Sequence, residues 1–122
     1  MDKPKYKVYL SGPISNGDML SSPERWANVM EAMRVGVGLM NDGFWVHIPH
    51  LSQFYDFVGG RKYEDMLQDD RIMVEFCDCL FRLPGTSAGA ARESQWAHAA
   101  GKDVAHSIPT LFRKRKAFFN GK

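Results

Sequence analysis

Short β-forming runs alternate with helical periodicity along this chain, and each change carries its own punctuation. Residues 5–10 (KYKVYL) are rich in β-formers and stop at Ser11, Gly12 and Pro13, a turn signal. Ser21, Ser22, Pro23 and Glu24 then open a helix: a serine cap, proline in the first turn, an early acid. Trp26, Met30, Met33, Val37 and Met40 recur in steps of four, three, four and three, which predicts a core-facing stripe. Asn41, Asp42 and Gly43 end this helix. Residues 44–48 (FWVHI) form the second strand, residues 49–60 a loop rich in aromatics, and residues 62–76 a second helix. Residues 77–83 (CDCLFRL) form the third strand, a third helix runs from the turn at 84–87 to about Ala100, and residues 103–108 form a fourth strand. Residues 109–122 read as a basic tail, helical or irregular.

Strands alternating with helices imply an α/β fold, with a parallel sheet covered on both faces. At 122 residues the chain reads as a single domain, 1–122. No apolar run reaches membrane-spanning or signal-peptide length, so a cytoplasmic protein is expected, with no membrane partner. Sixteen Lys and Arg against fourteen Asp and Glu leave a net charge of +2, too weak to argue for a nucleic-acid partner. Only Arg113, Lys114, Arg115 and Lys116 are locally basic. Cys77 and Cys79 read as buried, reduced thiols on one face of the third strand, and no Cys/His spacing fits a metal site.

In parallel sheets, ligands gather beyond the carboxyl ends of the strands. Three loops leave those ends, at residues 11–15, 49–54 and 84–89. Beside them two carboxylates stand on apolar helix faces. On the second helix, Tyr63, Met66, Leu67 and Val74 form a stripe with Asp70 in its middle, while Asp69 points away. On the third, Glu93 shares a stripe with Ala90, Trp96, Ala97 and Ala100. A carboxylate on an apolar face is costly unless paired, hydrogen-bonded or facing a cavity. Two such groups flanking one strand suit acid–base or nucleophilic chemistry at a sugar carbon; a pairing with Arg71, Arg82 or Arg92 is the structural alternative. Ser87 and Gly89 sit where a helix start can hold an anion, or where Ser87 is only a cap. His50 touches a ligand or makes a local hydrogen bond. Phe54, Tyr55 and Phe57 pack locally or stack on a base. His98 and His106 show no partner pattern.

Taken in order, these residues resemble the nucleoside 2-deoxyribosyltransferase-like superfamily. The likeness rests on Tyr9, Leu10, Ser11, Gly12, Pro13 and Ile14; on Asp70, Cys77, Asp78, Leu83, Pro84 and Gly85; and on Ser87, Ala88, Gly89, Ala90 and Glu93. It spans residues 6–108, and the segment Pro49, His50, Leu51, Ser52 with Phe54, Tyr63 and Glu64 resembles a small phage and bacterial branch. The resemblance implies a Rossmann-like or flavodoxin-like three-layer sandwich of four to five strands. It also implies a homo-oligomer, a dimer or larger, and cleavage of the N-glycosidic bond of a 2′-deoxynucleoside or nucleoside 5′-monophosphate, without a cofactor. By position, the family's nucleophile falls on Glu93, ionised by the helix dipole. Its acid falls on Asp70, kept protonated by an apolar site, and its first-strand tyrosine on Tyr9. Substrate contacts fall on Ser11, Gly12, Pro13, Ile14, Ser15, His50, Ser87 and Gly89. The superfamily's monophosphate hydrolases carry Arg where Ser15 stands. The rival reading is a non-catalytic nucleotide-binding module on the same fold; nucleic-acid contact through the basic run ranks last.

Overall fold

The computed structural model describes residues 4–14, 22–85 and 87–121. The elements are β1 (Lys7–Ser11), α1 (Pro23–Asn41), β2 (Trp45–His47), a 3₁₀ segment (Pro49–Phe57), α2 (Tyr63–Phe76), β3 (Cys79–Arg82), α3 (Ala88–Ala99), β4 (Asp103–Ala105) and α4 (Ile108–Asn120). The sheet runs β2-β1-β3-β4, and every pairing is parallel. Helices α1 and α4 bury Ala32, Leu39 and Leu111 against Val8, Leu10, Cys79 and Phe81 on one face. Helices α2 and α3 bury Val74 and Ala97 against Tyr9 and Leu80 on the other. This is the expected three-layer α/β sandwich, with four strands.

Local structure departs from expectation where packing outranks pattern. Helix α1 buries Arg25, Val29, Ala32, Gly36 and Leu39, while Met30, Val37 and Met40 are exposed. The small residues seat the helix close to the sheet: a side chain at Gly36 would collide with Ile48. The loop at 49–60 contains a nine-residue 3₁₀ segment, in which Trp26 stacks on Phe57 with ring centroids 5.4 Å apart and meets Phe54 at 5.2 Å. Tyr63 is exposed rather than part of the buried stripe of α2. Residues 109–120, in the stretch open to a helical or an irregular reading, are helical. Ser107 caps α4 by accepting from Thr110 N–H, Pro109 lies in its first turn, and Phe112 and Phe118 pack on the core. Cys77 and Cys79 are free and buried, but Cys77 precedes β3 and packs under α2 and α3 while Cys79 faces α1 and α4.

The loops after β1 and β3 touch because two glycines permit it. A Cβ on Gly12 would lie 2.9 Å from Leu83 Cβ, and one on Gly85 would lie 3.0 Å from Pro13 Cγ; Gly85 also has a φ of 121°, which L side chains resist. A Gly12→Ala variant should lose about 1–3 kcal/mol by overpacking, read as a lower urea midpoint at unchanged slope.

Candidate active site

Side chains two apart on a strand share a face. Tyr9 and Ser11 therefore both point from β1 toward α3. Tyr9 Oη donates to Glu93 Oε2 at 2.7 Å, and Ser11 Oγ donates to Glu93 Oε1 at 2.7 Å. Both donors are fully buried, so each carboxylate oxygen is held by a fixed hydroxyl. Burial pushes the Glu93 pKa up, and the two hydroxyls and Arg92 pull against that rise. Glu93 lies in the second turn of α3, so hydroxyl hydrogen bonds and a guanidinium, more than the helix terminus, favour its anion. Burial and the charges of Glu93 and Asp70 push Tyr9 well above the ordinary phenol range, so it remains a donor.

Asp70 and Glu93 line one cleft of about 630 Å³ at the carboxyl ends of the strands. Burial first, then the charge of Glu93, pushes the Asp70 carboxyl up to about 7; Arg92 and Arg61 act in the opposite direction. Burial thus pushes both acids up; two hydroxyls hold Glu93 as an acceptor, and Asp70 keeps its proton up to about neutral pH. Asp69 is exposed and pairs with Arg61 at 2.6 Å.

The structure brings Gly12, Pro13, Ile14, Ser87 and Gly89 to the same cleft. Ser87 Oγ accepts from Ala90 N–H at 3.1 Å, capping α3. Ser11 is placed behind Glu93 rather than in the opening. His50 does not line the cleft. It is fully buried beside the backbone of Gly12 and Pro13, and burial lowers its pKa to about 4. Ser15 lies outside the described residues.

Sequence reasoning missed Arg25. It lines the cleft, is almost wholly buried, and pairs with Asp56 at 2.5 Å, while its Nε finds no partner among the described residues. A cation in a helix's first turn opposes the dipole, which was the available signal. Arg61 and Arg92 line the cleft as well, Arg92 donating to Tyr63 Oη at 3.2 Å. The described residues hold no cluster of His, Cys, Asp and Glu that could bind a metal, and none of their helices is long and apolar enough to cross a membrane.

Two solved structures share this architecture. The CMP N-glycosidase BcmB of Clostridium botulinum matches at a TM-score of 0.55 and 18% identity, over 80% of this chain and 67% of that one. A 2-deoxyribosyltransferase from Leishmania mexicana matches at a TM-score of 0.57 and 20% identity, over 83% of this chain. The fold is that of the nucleoside 2-deoxyribosyltransferases. The present chain spans 62% of the length of the Leishmania deoxyribosyltransferase. No protein-family model and no curated protein sequence matches the chain.

Proposed function

We propose that this protein cleaves the N-glycosidic bond of a nucleoside or nucleoside 5′-monophosphate, by hydrolysis or by transfer to a second base. The observation that carries the reading is Glu93, whose two oxygens accept hydrogen bonds from the Tyr9 and Ser11 hydroxyls in a cleft shared with a carboxyl pushed up to about 7. The enzymes that share the fold support it.

In this mechanism a Glu93 oxygen attacks the anomeric carbon as the bond to the base breaks, giving a glycosyl ester on Glu93. Asp70 delivers its proton to the departing base. Water, or a second base, then attacks the same carbon and gives a proton to the Asp70 carboxylate, which restores both the Asp70 acid and the Glu93 carboxylate. Tyr9 and Ser11 act as positioning residues. Their hydrogen bonds fix the carboxylate without a direct counter-charge on either oxygen. The first turn of α3 at Ser87 and Gly89 supplies an anion seat for a 5′-phosphate, and Arg25, Arg61 and Arg92 add positive charge along the cleft. Gly12, Pro13 and Ile14 line the opposite wall. The reading includes a homo-oligomer, for which the exposed Met30, Val37 and Met40 face of α1 offers apolar surface.

Base release from ribo- and deoxynucleosides and their 5′-monophosphates, followed chromatographically with and without a second free base, tests the proposal. Release, or a new nucleoside in the supplemented reactions, supports it. A folded protein that is raised in Tm by a nucleotide yet releases no base is a binding module instead. The Tyr9→Phe variant separates positioning from mere packing. It keeps the ring and removes one donor, so base release should fall about 10- to 100-fold. The acid limb of its pH profile should also move up, because the lost hydrogen bond had lowered the Glu93 pKa.

A further inference from the structure

The end of the sheet opposite the cleft carries a second concave surface. An open groove of about 1130 Å³ runs between the start of β1, the start of β2 and helix α4. Five cations line it: Lys5, Lys7, Arg113, Arg115 and Lys116. No acidic residue is among its described lining residues, and the sequence from Val104 to Lys122 contains no Asp or Glu. The aromatic rings of Trp45, Phe112 and Phe119 lie among these charges, and Trp45 and Phe119 are each 37% exposed.

The charges are held in different ways. The Arg115 guanidinium stands 4.0 Å from the centroid of Phe44 and 4.7 Å from that of Phe112, and donates to the Asp42 carbonyl at 2.9 Å. It is a fixed cation. Lys7 is partly neutralised by Asp78, 3.3 Å away. Lys5 and Lys116 form no ion pair with the described residues.

We propose that this groove binds single-stranded nucleic acid. Five cations and the two exposed rings of Trp45 and Phe119 in one groove offer contacts to both the phosphates and the bases of a strand, with little sequence preference. An acidic peptide would satisfy the cations and leave the rings unused. The groove is remote from Glu93 and Asp70, so the proposal stands or falls independently of the glycosidic reading.

The test is fluorescence anisotropy of a labelled oligothymidine of about twelve nucleotides, titrated with the full chain at several salt concentrations. Binding should weaken with salt, by about 0.7 in the log–log slope per phosphate contacted. Arg113 and Lys116 are exposed, so the double variant Arg113→Ala/Lys116→Ala should fold normally, with an unchanged Tm, and bind about tenfold or more weakly. Phe119→Ala should weaken oligothymidine about tenfold and leave an abasic strand of equal length unaffected. Three results would overturn the proposal: no oligonucleotide binding at low salt, equal binding of the abasic strand and oligothymidine, or capture by phosphatidylglycerol vesicles with no affinity for either strand.

Discussion

A Glu93→Gln protein should release base at least about a thousandfold more slowly than the parent while binding the same nucleotide. Glutamine keeps the shape of the side chain and can still accept from one of the two hydroxyls, but it cannot form a glycosyl ester by displacing the base. The other hydroxyl would face an amide donor in place of an acceptor. The loss should fall on kcat, because in the proposed reading other walls of the cleft hold the sugar and base. Glu93→Asp offers a second reading of the same geometry. Its carboxylate is one methylene shorter and cannot meet Tyr9 and Ser11 while reaching the same point, so it too should be severely slowed. Normal turnover by Glu93→Gln would remove Glu93 from the chemistry and leave the fold without an identified nucleophile.

The Asp70→Asn protein should be both less active and more stable, with the gain depending on pH. The folded pKa of Asp70 is about 7, well above the ordinary value near 3.9 that it regains on unfolding. Between those values the folded state holds a proton that the unfolded chain has lost, so stability falls as pH rises through that window. Below it Asp70 contributes no penalty. Above it the penalty is complete, about 1–3 kcal/mol after allowing for partial solvent contact. Asn carries no charge at any pH. The variant should therefore match the parent in urea midpoint near pH 4 and exceed it at pH 8. Base release should fall about 10²- to 10⁴-fold, and the decline of the parent's activity above about pH 7 should vanish. A variant that is less stable at pH 8 would mean that Asp70 is paired rather than strained.

The alternation of strand and helix was legible because each element carries its own start and stop residues. Ser22 with Pro23 and Ser107 with Pro109 are related signals, yet the basic run after the second leaves residues 109–122 open to a helical or an irregular reading. The register of α1 was harder to read. Two stripes share the steps four, three, four and three: one from Trp26 to Met40, the other from Arg25 to Leu39. Hydropathy favours the first. The sheet selects the second, since only Ala32 and Gly36 admit its close approach, and no local pattern states that distance. Asp70 and Glu93 were visible as charges on apolar faces. The part Ser11 plays was not, because the hydrogen bond to Glu93 joins residues far apart in sequence. Arg25 was hidden by the same one-residue shift that misplaced the stripe.

The two thiols acquire a use from their placement. Only one residue separates them in the chain, yet each is sealed in a different layer of the sandwich, Cys77 beneath α2 and α3 and Cys79 beneath α1 and α4. Burial also pushes both thiols up to about 12, so neither is an effective nucleophile while covered. Each sulfur becomes reactive only when its own side of the sheet opens. The protein thus carries a native chemical clock for each hydrophobic layer, and the ratio of their rates tells whether the layers part together or in turn.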